Sequence, residues 1–293
     1  MPDLVLAIDA GGTFFKSALV ADGHILNDTM RSEPVNSAGP AEPILAAYRT
    51  IVHQALARAG RIAGIGVATP GPFDYAAGMS RMTHKFQSIL GLDLREAMRN
   101  GTGLPADVPI RFAHDAHAFL LGEYRHGAAQ GFANVACITL GTGIGSGWII
   151  NQQLRTNEVG GPLVRLFTLP CEGATLEDFA SGRGIVAAYG QGSHLTAKEI
   201  ARRAREEHDR QAQDVFAKLG TRIGKTIAPL IAHYQIECLI FGGQIANNFD
   251  LFGNSVAATL DRGVIRQAQH IDTAALIGAA GECHAVSEMG LRE

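Results

Sequence analysis

Two aspartates, Asp9 and Asp115, each close a short apolar run: Leu4 to Ile8 precedes one and Ile110 to Ala113 the other. After Asp9 come Gly11, Gly12 and Thr13, with Lys16 a little further on. Residues without side chains let backbone N–H groups approach an anion closely, while Thr13 adds a hydroxyl and Lys16 a positive charge. This turn can therefore cradle phosphate, or it can be a plain hairpin turn with aspartate as turn former. The run Leu140-Gly141-Thr142-Gly143-Ile144-Gly145-Ser146-Gly147 alternates glycine with other residues and carries hydroxyls, a loop able to wrap an anion. It returns as a strand at Trp148 to Ile150 and lacks a Gly-Lys-Ser/Thr ending, so it is neither the dinucleotide fingerprint nor a Walker loop. Gly242 and Gly243 make a third turn, after the apolar strand Glu237 to Phe241. Together these turns suggest a nucleotide held between domains, its phosphates on the first two loops.

His114-Asp115 supplies a candidate general base, since a carboxylate at a strand end can take the proton of an attacking hydroxyl. The same aspartate also suits the N-cap of the helix that follows. Glu158 and Glu177 bracket an irregular stretch and are acceptors for sugar hydroxyls if they face a ligand, or solvated surface groups if they do not. His117, His126 and His194 are read as helix caps or solvent-facing side chains.

The elements that must hold these groups follow from periodicity and punctuation. Leu4 to Ile8, Phe15 to Val20 and His24 to Asn27 read as a glycine-turned meander. Pro43 to Gly60 has helical spacing, with proline at its start and glycine at its end. Gly64 to Ala68 is a strand that stops at Thr69-Pro70-Gly71-Pro72. Val135 to Leu140 and Gly147 to Asn151 form a hairpin, residues 194–235 are helices broken near His208 to Gln211, and a last helix runs from about Thr273 to Val286. The halves resemble one another, each opening with an antiparallel pair around a Gly/Thr turn. The economical reading is a duplicated α/β protein with a central cleft. A smaller α/β domain, residues 1–115, is completed by the C-terminal helix at about 273–293, and a larger one spans 116–272.

Composition narrows the classes. Of 293 residues, 35 are glycine, about 12% against the usual 7% or so. A net charge of −3 leaves no basic excess for nucleic acid. No apolar run is long enough for a membrane span, and Met1 to Val20 lacks signal-peptide character, which points to the cytoplasm. Cys137, Cys171, Cys238 and Cys283 are scattered, without the spacing of a zinc or redox motif.

In order along the chain, Asp9 to Thr13, Asp115-Ala116, Leu140 to Gly147, Glu158-Val159-Gly160, Leu176-Glu177 to Ser181-Gly182, and Gly242-Gly243 resemble the ROK sugar kinases, a group that also includes sugar-responsive repressors. The resemblance implies an actin-like ATPase (ribonuclease H-like) α/β fold of two domains, with ATP and Mg²⁺ as cofactors and a small-molecule sugar substrate. It implies Asp115 as general base, and Gly11, Gly12 and Thr13 with Gly141, Thr142 and Gly143 at the phosphates. Gly242 and Gly243 would border the adenosine, and Mg²⁺ would arrive with ATP near Asp9. Pro70, Gly71, Glu158 and Glu177 would line the sugar, and the family suggests a homodimer. The chain departs from the pattern: His114 replaces the usual asparagine, Gly161 the usual histidine, and the cysteine cluster is missing. Hence no structural zinc is expected, and His114, with His84 or Lys85 from the Thr83 to Phe86 segment, is placed at the substrate, an anionic or amino-substituted sugar in the case of the segment. The alternatives are a non-catalytic sugar sensor, although the phosphate turn at residue 9 leaves no room for a preceding DNA-binding domain, and an actin-like kinase with a non-sugar acceptor.

Overall fold

Leu6, Ile8 and Ala10 point to one side of the first strand and Val5 and Ala7 to the other, and both sides are buried. That is why the segment reads as a continuous apolar run instead of an alternating one. The computed structural model describes residues 3–190 and 194–289, with side chains as far as Cys283 in the last helix. By internal contacts the chain forms two units, Met1–His126 with Thr156–Gly161 and Thr273–Glu293, and Gly127–Arg155 with Pro162–Asp272.

In the first unit, β1 (Val5–Ala10) pairs antiparallel with β2 (Phe14–Ala21), and β3 (His24–Ile25) and β4 (Arg31–Pro34) add to β2. The third strand is shorter than its sequence suggests. β4 has no apolar signal because it is an edge strand with mostly exposed polar side chains. Next come α1 (Ala41–Ala59), β5 (Gly64–Thr69), a ribbon of β6 (Phe73–Asp74) and β7 (Met79–Ser80), α2 (Leu94–Arg99), β8 (Ile110–His114) and α3 (Asp115–His126). The sheet order is β3-β2-β1-β5-β8, with β5 parallel to both β1 and β8. Gly60, at φ 71°, ends α1 and donates its N–H to the Leu56 carbonyl.

The second unit opens with β9 (Val135–Leu140), β10 (Ile144–Ile150) and β11 (Gln153–Arg155). Leu140 pairs with Ile144, so the turn is confined to Gly141–Gly143 and the strand begins three residues earlier than expected, absorbing Gly145. A ribbon, β12 (Pro170–Cys171) and β13 (Ala174–Thr175), leads into α4 (Leu176–Phe179), α5 (Gly182–Tyr189), α6 (Ala197–Glu206) and α7 (Arg210–His233). The helical stretch breaks where expected: Asp209 caps α7 by accepting the Ala212 N–H at 3.2 Å. β14 (Cys238–Gly242), α8 (Phe249–Ala257) and β15 (Val264–Gln267) complete a sheet ordered β11-β10-β9-β14-β15. Trp148, Phe216, Phe241 and Phe252 anchor its core.

The chain then returns to the first unit with α9 (Ala274–Met289), which covers the Val5/Ala7 face of the sheet through Leu276 and Ala280. Small residues permit this approach. A Cβ on Gly278 would lie 1.8 Å from the Ala118 carbonyl oxygen of α3, and one on Gly122 would lie 2.1 Å from that of Ala274. One on Gly66 of β5 would lie 2.0 Å from the Ala279 carbonyl oxygen. Part of the glycine excess therefore serves helix packing, which the sequence did not disclose.

Candidate active site

Because β1, β5 and β8 are parallel neighbours, their C-terminal ends lie side by side: Asp9 is in register with Ala68, and Thr69 with His114. Ligands of α/β sheets bind at such ends. One sheet edge of the first unit thus gathers Asp9, the Thr69-Pro70-Gly71 turn and His114-Asp115. Asp9 also stands opposite Lys16 across the β1–β2 pair. The turn between them is tied to the loop after β4, with Val35 N–H on the Thr13 carbonyl (2.8 Å) and Ser37 N–H on that of Gly12 (3.1 Å). A Cβ on Gly12 would come within 3.2 Å of Ser37 Oγ, and one on Gly11 within 2.8 Å of the Phe14 carbonyl oxygen.

Asp115 is the first residue of α3 and not its cap. Its Oδ1 accepts the N–H of the adjacent Ala116 at 2.7 Å and lies 2.9 Å from His114 Nδ1. Desolvation opposes ionisation here, although 43% of the Asp115 side chain remains exposed. The His114 ring, its hydrogen bond, the Ala116 N–H and Lys85 together overcome that penalty and hold Asp115 well below the usual carboxylate range. Asp9 behaves oppositely: burial first, then the nearby Asp115 charge, push it up to about 6 against the pull of Lys16. The charge that reaches Asp115 from the 83–86 segment is that of Lys85, while His84 is exposed.

Two residues join this group that sequence reasoning missed. His117 is 2% exposed, not solvent-facing, and its ring lies 5.1 Å from that of His114. Burial, then His114, push it down to about 3, so it is neutral. Its spacing three residues after His114 was the available signal. Tyr75, in the ribbon turn, is edge-on to His114 at 6.1 Å, and its buried hydroxyl has no hydrogen-bond partner among the described residues. It also supports the 156–161 loop: a Cβ on Gly160, at φ 78°, would meet Tyr75 Cδ2 at 3.1 Å. Asn157 holds that loop by accepting the N–H groups of Val159 and Gly161 at 3.1 and 2.9 Å, leaving Glu158 exposed.

In the second unit, Glu177 is committed to the glycine loop. Its Oε2 accepts the Ile144 N–H at 3.1 Å, its Oε1 accepts from Arg183 at 3.2 Å, and a Cβ on Gly143 would meet Oε2 at 2.5 Å. Gly182 N–H donates to the Gly141 carbonyl at 2.9 Å, so α5 also braces the loop. Thr142 is exposed at its tip. A Cβ on Gly141 would meet nothing within 4 Å, so the space beside it is open, while the Gly141 N–H donates within the turn to the Gly143 carbonyl at 2.9 Å. Gly242 ends β14 in register with Thr139. Gly243, at φ 79°, sits where a Cβ would come within 2.4 Å of the Leu140 carbonyl oxygen, so packing alone demands glycine. Nearby, Gln244 and Asn248 share a cavity of about 830 Å³ with Thr196, Lys198 and Arg202. Among the described residues no cluster of His, Cys, Asp and Glu could hold a metal ion by itself, and no helix is long and apolar enough to cross a membrane.

Residues 5–290 match the family model described as ROK family. The glucokinase of Thermotoga maritima is 28% identical over 281 residues, covering 86% of each chain. The N-acetylmannosamine kinase of Escherichia coli O127:H6 is 29% identical over 256 residues, covering 82% of each. A ROK family glucokinase from Streptomyces griseus, solved in complex with glucose and AMPPNP, superposes with a TM-score of 0.78 at 26% identity, over 96% of this chain and 99% of that one. The fold shared with these chains is the actin-like ATPase fold.

Proposed function

Because the chain belongs to the ROK family, we propose that it is an ATP-dependent kinase of a sugar hydroxyl, acting on a hexose or hexose derivative with Asp115 as general base. The observation that carries this reading is a partly exposed carboxylate just past the ends of parallel strands, with Ala116 N 2.7 Å and His114 Nδ1 2.9 Å from its Oδ1, neighbours that favour its ionised form. Asp115 accepts the acceptor's hydroxyl proton while that oxygen forms its bond to phosphorus and the bond to the leaving phosphate oxygen breaks. So acidic a carboxylate takes the proton late, once the attacking oxygen has lost most of its basicity. ATP with its Mg²⁺, when bound, supplies the transferable phosphoryl group and a neutralising cation.

Gly11, Gly12, Thr13 and Lys16 are assigned to phosphate binding, as are Gly141, Thr142 and Gly143, with Gly242 and Gly243 toward the nucleoside and Asp9 toward the cation. The open space beside Gly141 and the Asp9–Lys16 pair fit such a ligand. Pro70, Gly71 and Glu158 are assigned to the acceptor. Glu177 serves there only if it releases Ile144 or Arg183. The test is a coupled ADP-release screen over hexoses, amino sugars and polyols. Turnover of at least one sugar is expected, and sugar binding without ADP release would instead identify a sensor. Charged acceptors outperforming neutral hexoses would draw Lys85 and His84 into the acceptor site.

A further inference from the structure

Resting on that reading, the arrangement around Asp115 assigns His114 a role other than holding substrate. Asp115 Oδ1 has two donors close by, Ala116 N at 2.7 Å and His114 Nδ1 at 2.9 Å. The Ala116 N–H is also in donor geometry to His114 Nδ1, at the longer distance of 3.2 Å, so the two acceptors compete for it. A backbone amide has one proton, and the shorter contact to a charged acceptor claims it. His114 Nδ1 therefore keeps its own proton and donates it to Oδ1. The opposite edge of the ring is fixed by its surroundings. A Cβ on Gly71 would be 3.6 Å from His114 Cδ2, 3.8 Å from Nε2 and 3.2 Å from Tyr75 Oη. Tyr75 meets the ring edge-on and His117 flanks it at 5.1 Å.

We propose that His114 is a positioning residue: its Nδ1–H pins Asp115 Oδ1, leaving Oδ2 as the oxygen that receives the acceptor proton, and the imidazole acts on the reaction through Asp115. The asparagine usual at this place in the family fits the same geometry, because its side-chain amide nitrogen can stand where Nδ1 stands. Glutamine places its amide nitrogen at the position of Nε2 instead, so the two amides separate the two ring nitrogens.

The experiment compares H114A, H114N and H114Q on a sugar that the wild type turns over, each checked for an unchanged melting transition. H114A is expected to lower kcat about 10–100-fold with the acceptor KM within about threefold, the mark of a group acting in the transition state. H114N is expected to recover about tenfold of that loss and H114Q none. Recovery by glutamine and not asparagine, equal behaviour of the two, or a rise in acceptor KM with kcat intact would each overturn the assignment. A readout independent of turnover is the imidazole tautomer, seen by long-range ¹H–¹⁵N NMR of ¹⁵N-histidine-labelled protein. His114 is expected as the Nδ1–H form in the wild type, giving way toward Nε2–H in D115N, and an Nε2–H wild type would refute the proposal. A wild type that turns over no sugar fails the kinase reading alone, while the tautomer still decides this one.

Discussion

Asp9 lies near the end of β1 and Asp115 directly follows β8 of the same sheet, yet their environments drive them apart. Asp115, with cationic and N–H partners, stays ionised, so D115N should cut kcat by about 10²–10⁴-fold while nucleotide affinity, measured by calorimetry, changes little. Near-normal kcat in that variant would remove Asp115 as base. Asp9 moves from an ordinary value of 3.8 to about 6, so between those values the folded state holds a proton that the unfolded chain has lost. Stability therefore falls as pH rises from about 4 to about 6 and stays lower above that. D9N removes the penalty and should be more stable than wild type at pH 7 by about 1–2 kcal/mol, discounted for partial exposure, while losing phosphoryl transfer. In urea titrations the advantage should vanish below about pH 4, and a constant difference across pH would refute the cause.

At the scale of elements, glycines divide into those that open backbone and those that admit a neighbour. G278A drives a methyl into the Ala118 carbonyl, only 1.8 Å from the ideal Cβ, and should destabilise by about 2–3 kcal/mol. G141A meets nothing within 4 Å and should leave the melting transition within about 0.5 kcal/mol of wild type while raising the nucleotide KM. Equal melting losses in both would erase the distinction. This division also marks what the sequence could disclose. β1, β5 and β8 were legible because buried parallel strands are continuous apolar runs, and Asp9, Gly71 and Asp115 were legible because they terminate them. β4 and β15 were not, since edge strands pair on one side and need little apolar character. Tyr75 and His117 were missed for a different reason. Tyr75 matters through His114 and Gly160, and no local pattern encodes a side chain meeting a loop 85 residues away, whereas His117 offered only its three-residue spacing from His114.

For the whole molecule, each unit has its own core, and the single tryptophan, Trp148, is buried in the second one. Its fluorescence should report that unit, whereas far-ultraviolet dichroism reports both. G278A should therefore lower the dichroism transition more than the fluorescence transition, and identical shifts would show that the units unfold as one. The seat of α9 carries a further consequence, in time. Among the described residues, α9 covers the Val5/Ala7 face of the first sheet through Leu276 and Ala280 and meets the glycine seam of α3 through Ala274 and Gly278. During synthesis, β1 and the α3 that carries Asp115 wait for α9 while residues 127–272 are made and the second unit can fold. The candidate base is thus translated well before the helix that packs against its own, and the nascent first half of the chain leaves bare the apolar face that α9 later covers.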